Sequence, residues 1–250
     1  MNISENLECL LINLDRSPDR LLQMQERLNN LKLPFKRIPA VDGKQVEFTS
    51  REIDSSAYEK CHGKYVTPTE VACYISHYNA LKAYIEESDK EFALILEDDM
   101  VFCEDFLIIL DNLLKQHQDW DMVKLNGTSG WGGPVIQNTV YNEYKLVLHL
   151  FHQAKSGAYL VNRKAAKNYI EKLLPMTVPY DHEFIKFWKY QIRLFSVVPF
   201  PTWEKQESST IDYSMIKKNK KPWYQRVNTF VYRTKVTFKR LWSGFLNCID

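Results

Sequence analysis

An apolar run of strand length, Phe92-Ala93-Leu94-Ile95-Leu96, ends in three consecutive carboxylates, Glu97-Asp98-Asp99, and apolar chain resumes at Met100-Val101-Phe102. Five apolar residues in succession predict a buried strand, parallel to its neighbours and covered on both faces. Carboxylates at the end of such a strand fall in the crevice where open α/β sheets bind their ligands. Three adjacent anions repel one another, so the arrangement is costly without a cation. Hard oxygen ligands suit Mg²⁺ or Mn²⁺, ions that bridge protein carboxylates to phosphates. The triplet therefore points to a metal-bound nucleoside diphosphate. The competing reading is a solvated turn opening a helix, whose N-terminus favours negative charge. Glu104-Asp105, ahead of the apolar helix Phe106 to Leu114, is a pair of that second kind.

The 250 residues, 45% apolar with only 8 glycines, fit one α/β domain with a substantial core and show no solenoid repeat. Met1 to Asn6 lacks the pattern of a secretory signal, and no apolar stretch reaches the roughly 18 residues of a spanning helix. The five cysteines are odd in number and scattered, with no C-x-x-C pair. Cys9 and Cys73 lie in apolar segments and are expected to be buried reduced thiols of a cytoplasmic protein, not a zinc site or a disulfide framework. The net charge of +2 conceals an asymmetry: nine basic residues and one acidic residue follow from Lys217, and the preceding 216 residues are net negative.

Along the chain, Glu8 to Leu14 reads as a first strand, with Ser17 as candidate N-cap and Pro18 opening a helix that presents Leu21, Met24, Leu28 and Leu31. Phe35 to Val41 is a second strand, completing a βαβ unit and implying a parallel sheet. A loop with a short helix is expected over 44–65. Thr67-Pro68-Thr69-Glu70 is a capping box that starts a helix running to about Glu87. A helix over 104–117, strands at 121–125, 139–151 and 157–161, and helices from Arg163 to Leu174 and from Val178 to about Tyr190 follow. Arg193 to Phe200 closes the series. The loop from Asn126 to Pro134 holds half of the glycines but lacks the spacing of a phosphate-binding Walker loop.

These landmarks resemble glycosyltransferase family 25, which includes bacterial lipopolysaccharide and lipooligosaccharide sugar transferases and collagen galactosyltransferases. The matching residues are Ile12-Asn13-Leu14-Asp15-Arg16 with Asp19-Arg20, then Ala40-Val41-Asp42-Gly43, then Thr67, Glu70, Ser76-His77 and Ala80. Leu94 to Asp99 matches the family's L-E-D-D element, Gly157-Ala158-Tyr159-Leu160-Val161 with Ala165 its G-x-A-Y element, and Pro179-Tyr180-Asp181 its P-x-D. The resemblance implies a GT-A fold, a nucleotide-binding α/β/α sandwich with a mostly parallel central sheet. It implies an inverting transfer of a hexose, galactose or else glucose, from a UDP-sugar to a sugar acceptor of lipooligosaccharide. The metal would be Mn²⁺ or Mg²⁺.

By that resemblance Asp99 ligates the metal directly, and Glu97 contacts it through water or touches the donor's ribose. Asp98 would face the donor without a defined part. Asn13, Leu14, Arg16 and Arg20 would lie by the uridine and diphosphate, the two arginines as charge-assisted donors. Asp42 would accept from uracil or ribose. His77 either bonds a donor phosphate or is a structural histidine. Asp181 is the candidate general base, with Glu183 in reserve; the competing role for Asp181 is a helix N-cap. No histidine follows His182, so a third metal ligand would be water or an oxygen near Glu207-Ser208-Ser209-Thr210.

Residues 1–213 are expected to form the catalytic domain and 214–250 a basic segment. Residues 217–246 mix nine cations with aromatics such as Trp223, Phe230, Phe238 and Trp242, the composition of an interfacial element. Three partners suit it: an anionic membrane surface beside a lipid-linked acceptor, the protein body, or nucleic acid. No nucleic acid is expected, because the body is acidic and carries no recognition motif. The membrane reading carries the expectation of a cytoplasmic protein, peripheral on the cytoplasmic face of the inner membrane. A non-catalytic nucleotide-sugar binder and a metal-dependent nucleotidyltransferase are the other functional classes compatible with the carboxylates. The second would usually place a glycine-rich basic loop after the first strand, where Asp15-Arg16-Ser17-Pro18 has no glycine.

Overall fold

The structure is a computed structural model and describes residues 3–128, 134–149, 153–205 and 220–246. A short turn of helix, α1 (Ile3–Asn6), leads into β1 (Leu7–Asn13), α2 (Pro18–Asn30) and β2 (Lys36–Pro39). After α3 (Ser55–His62) and α4 (Pro68–Glu87) come β3 (Phe92–Glu97), β4 (Met100–Phe102), α5 (Phe106–Lys115) and β5 (Met122–Lys124). A hairpin of β6 (Pro134–Tyr141) and β7 (Tyr144–His149) precedes β8 (Ala158–Asn162), α6 (Arg163–Leu173), α7 (Tyr180–Phe184) and α8 (Phe187–Tyr190). The described chain ends with β9 (Leu194–Val198), β10 (Thr202–Glu204) and α9 (Val227–Leu246).

Eight strands form one sheet in the order β2-β1-β3-β8-β5-β9-β7-β6. β2, β1 and β3 pair in parallel, as do β5 and β9, while β8 runs against both β3 and β5. Most strands therefore point one way, with β8 and β7 reversed. The α/β class and the βαβ unit expected from the sequence are present. β3 departs from the expectation in one respect, since only its β1 edge is parallel. Its five apolar residues are buried, as a strand covered on both faces requires. Truncating one of them, as in Leu94→Ala, would cost about 2–5 kcal/mol.

The β1–α2–β2 and β2–α4–β3 crossovers run in opposite directions across the sheet. Right-handed connections consequently put α2 and α4 on opposite faces and open a crevice at the end of β1. The register aligns the strand tips there, Ile12 opposite Glu97 and Asn13 opposite Pro39. α4 packs on β1, β2 and α6, with Thr67 capping it by accepting from the Glu70 N–H at 3.3 Å. The loop after β2 abuts that helix start. A Cβ on Gly43 would lie 2.5 Å from the Pro68 carbonyl oxygen, so only glycine fits this approach.

Local expectations fail at several places. Ser17 makes no side-chain cap; its carbonyl instead accepts from Asn13 Nδ2 at 3.1 Å. The strand expected over 139–151 is broken by a hairpin turn: Asn142, in the left-handed region at φ 48°, reverses the chain from the end of β6 into β7. The helix expected from Val178 to Tyr190 is two short helices, and Cys73 is exposed on α4 where a buried thiol was expected. The interdomain boundary at 213/214, the group Glu207 to Thr210, residues 129–133 of the glycine loop, Lys217, Lys218 and Cys248 lie outside the described residues.

Candidate active site

The carboxylate triplet turns out of β3 at the crevice, and its backbone is fixed on two sides. The Glu97 N–H donates to the Gly157 carbonyl at 2.7 Å, and the Lys205 N–H to the Asp99 carbonyl at 2.9 Å. β4 and β10 pair just beyond, Met100 opposite Glu204. A cleft beside the triplet is lined by Asn13, Leu14, Arg16, Arg20, Asp42 and His77, together with Glu97 and Asp98. Every residue that the sequence singled out for the donor thus borders one cleft.

The three carboxylates have different surroundings. Asp98 is tethered: Asn13 Nδ2 donates to it at 2.7 Å and Arg20 Nη1 at 3.1 Å. Asn13 is itself buried and accepts at Oδ1 from Arg37 Nε at 3.0 Å. Its side chain is fully used, which makes it a positioning group for Asp98. Glu97 faces His77, Oε1 to Nε2 at 3.1 Å. Asp99 Oδ1 is buried with no hydrogen-bond partner, and Oδ2 lies 3.8 Å from Arg20 Nη1. Burial first, then the charges of Glu97 and Asp98, push the Asp99 carboxyl up to about 7 against the pull of Arg20. An unbonded buried oxygen in a cluster of anions is what a cation would relieve. Asp99 with Glu97 therefore fits a hard divalent ion.

Arg16 and Arg20, expected to meet the diphosphate, pair with protein carboxylates in this structure. Arg16 Nε lies 2.7 Å from Asp42 Oδ2, and Arg20 holds Asp98. His77 borders the cleft and is otherwise buried among ring and carboxylate partners. Its Nδ1 lies 3.3 Å from the Tyr159 hydroxyl, and its ring stacks on Tyr180 with centroids 4.1 Å apart. It orients Glu97 from behind.

Sequence reasoning gave no site role to two neighbours. Ser76 Oγ accepts from the Val41 N–H at 2.9 Å and donates to the Ala72 carbonyl, which ties the end of β2 to α4. Cys73 is the other. Its sulfur, His77 and Glu97 bring ligand atoms within 4.8 Å of one another, a softer donor set than the carboxylates offer. Crowding by surrounding protein, and then the fields of Glu97, Asp181, Glu70 and Asp99, raise this thiol well above its ordinary value although it stays open to solvent. The i, i+4 spacing of Cys73 and His77 on one helix was the available signal.

Asp181 follows Tyr180 as the second residue of α7 and accepts at Oδ1 from the His182 N–H at 2.9 Å. It is not an N-cap, the position held by Pro179. Glu183, the reserve base, is fully buried and engaged by Lys186, Lys189 and the Tyr190 hydroxyl, each at 2.5 Å. No acceptor hydroxyl can reach it, so Glu183 is corrected to a structural ion-pair centre.

A carboxylate triplet at the point where an α/β sheet reverses its strand order, with an antiparallel strand inserted beside it, defines a nucleotide-binding sandwich of the GT-A type. Residues 6–155 match the family described as glycosyltransferase family 25 (LPS biosynthesis protein). The chain belongs to glycosyltransferase family 25.

Among its relatives is procollagen galactosyltransferase 1-B of Xenopus laevis, 31% identical over 221 residues that make up 78% of this chain and 36% of that protein. Procollagen galactosyltransferase 1 of Danio rerio is 33% identical over 125 residues, 46% of this chain and 20% of that one. The chain thus spans about a third or less of the length of these relatives. Solved structures with distant likeness include a glycosyltransferase involved in glycosylation of the major capsid of PBCV-1, at TM-score 0.38 and 11% identity over 76% of this chain and 81% of that one. A Drosophila galactosyltransferase in complex with manganese, UDP-Gal and xylobiose gives TM-score 0.37 and 12% identity over 87% and 81%.

Proposed function

We propose that this chain transfers a hexose, with galactose favoured, from a UDP-sugar to a sugar acceptor of lipooligosaccharide or lipopolysaccharide by an inverting single displacement. The observation that carries this reading is the Asp99 oxygen, buried and unbonded at the end of β3. Family membership supports the transferase class, and the name of the relatives supports galactose. A divalent ion held by Asp99 and Glu97 would supply Lewis-acid neutralisation of the departing diphosphate.

The chain's own residues supply the rest. Asn13 and Arg20 hold Asp98, and with it the turn, in place. His77 orients Glu97. Asp42 and Arg16 border the cleft, where Asp42 would accept from uracil or ribose and Arg16 would donate to the diphosphate. Asp181 accepts the proton of the acceptor hydroxyl as its oxygen bonds to the anomeric carbon, and the bond from that carbon to the diphosphate oxygen breaks with its electron pair leaving on UDP.

The reading includes a place for the enzyme at an anionic membrane on the cytoplasmic side. α9 packs on α3 through Thr229, whose hydroxyl donates to the Lys60 carbonyl at 2.9 Å. Its opposite side leaves Phe230, Val231, Phe238, Leu241 and Trp242 exposed, with Lys235 and Lys239 interspersed among them. Apolar side chains flanked by cations suit an anionic lipid surface, where each cation contributes about 1 kcal/mol. No helix among the described residues is long and apolar enough to cross a membrane.

The test is release of UDP from UDP-galactose and UDP-glucose with Mn²⁺ or EDTA, across glucose-, galactose- and N-acetylglucosamine-terminated acceptors. Metal-dependent release requiring one acceptor is expected. Release of pyrophosphate, or no binding of UDP, would overturn the assignment.

A further inference from the structure

We propose that a second cavity, open to solvent between α9 and the body, binds a phosphate-bearing part of the acceptor glycan. The inference rests on the transferase reading, which it extends to the class of acceptor. The cavity is about 900 Å³ and is bordered by the end of α3, α7 and α9. Six cationic side chains line it, Lys64, Lys186, Lys220, Arg226, Arg233 and Arg240, and among the described residues no carboxylate does.

Among the described residues only Lys186 of these six has an ion pair, with Glu183 at 2.5 Å. Arg233 donates to the His62 carbonyl at 3.3 Å. Arg240 is 4% exposed, and its Nε has no hydrogen-bond partner. A buried guanidinium without an anion is costly, and its planar fork matches a phosphate better than any neutral sugar hydroxyl. His182 lies among the same cations. Burial, then Arg233, Lys186, Lys64 and Arg240, lower it to about 4.

Position gives the cavity its meaning. His182 lines it and directly follows Asp181, the proposed base. A phosphate held by Arg233 and Arg240 would therefore anchor the acceptor beside the group that takes its proton. The cleft proposed for the donor's diphosphate is a separate one: it is lined by Arg16 and Arg20 and shares no lining residue with this cavity.

Titration calorimetry of the full chain with inorganic pyrophosphate, in EDTA and low salt, tests the proposal. Saturable binding is expected, weakening with added salt. Arg233→Gln and Lys220→Ala, both at exposed positions, should each reduce the affinity about tenfold, while Mn²⁺-dependent UDP binding stays unchanged. Glucose 6-phosphate should compete with pyrophosphate and glucose should not. Absence of pyrophosphate binding, or binding indifferent to both variants, overturns the proposal whether or not UDP binds. Response to phosphatidylglycerol vesicles without response to glucose 6-phosphate also overturns it, by moving the phosphate to a lipid headgroup. Failure of UDP binding in the wild type, with pyrophosphate binding intact and variant-sensitive, sinks the transferase reading alone.

Discussion

The imidazole of His77 lies flat on the phenol of Tyr180, with centroids 4.1 Å apart and planes 4° apart, while its Nε2 meets Glu97 at 3.1 Å. One side chain thereby links the carboxylate turn after β3 to the helix that begins with Tyr180 and Asp181. Replacing His77 with Phe keeps the stack and removes the contacts with Glu97 and the Tyr159 hydroxyl. The expected result is a loss of about 10- to 100-fold in metal-stimulated UDP affinity, with the melting temperature little changed. Tyr180→Phe removes only the 2.9 Å contact with the Tyr159 hydroxyl and should cost about 1 kcal/mol of stability. Calorimetry and thermal unfolding of the two variants separate these effects.

Asp99 makes the protein's response to pH depend on metal. Its folded carboxyl titrates near 7, raised by burial and by Glu97 and Asp98. A raised carboxyl favours the folded state while protonated, so in EDTA stability should decline as pH rises from about 4 through 7. Mn²⁺ binds the ionised form and should raise the melting temperature more at pH 8 than at pH 6. Asp99→Asn should abolish both trends; equal Mn²⁺ stabilisation in that variant would remove Asp99 from the metal site.

Asp181 and Glu183 are two residues apart and are expected to fail differently. Asp181→Asn should keep UDP binding and melting temperature and lose transfer by about 10²–10⁴-fold. Glu183→Gln breaks a buried ion-pair network and should cost about 3–5 kcal/mol. Burial alone would raise the Glu183 carboxyl, but Lys186 and Lys189 outweigh it and hold it low. Its stabilisation is therefore complete above the unfolded value near 4.5 and is lost as pH falls through the lowered folded value. Denaturant unfolding between pH 3 and 7 reads this: wild type should lose more stability on acidification than Glu183→Gln.

The outer side of α9 is open to a test independent of catalysis. Phe238→Glu and Trp242→Glu alter side chains that are 66% and 59% exposed, so stability should stay within about 0.5 kcal/mol. Sedimentation with phosphatidylglycerol vesicles should fall several-fold. Unchanged sedimentation in the double variant would exclude this face as a lipid contact.

The sheet and the donor cleft were legible because strand-length apolar runs and the carboxylates at their ends are local in sequence. Asn13, Arg20 and Asp98 could be named for the cleft, but not joined. Their hydrogen bonds span 78 and 85 residues, and no periodicity records such a pairing. Glu183 was misread because its partners, Lys186 and Lys189, sit on the far side of a helix break that composition does not announce. Cys73 was misread because an apolar stretch of a 20-residue helix was taken to be buried all round. The cationic cavity was hidden for a further reason: Lys64, Lys186 and Arg240 come from three separate segments, and only packing of α9 brings them together.

The reversed strand β8 has a consequence for how this chain is made. It seals β3 on one edge and β5 on the other, yet it emerges about sixty residues after β3. Until it arrives, β3 has an open apolar edge and β5 has no partner, because β9 comes later still. The two halves of the sheet are stitched by a late strand, which raises contact order and leaves a nascent chain exposed to edge-to-edge association. A product ending near residue 155 would contain every acidic residue of the donor cleft and should aggregate all the same.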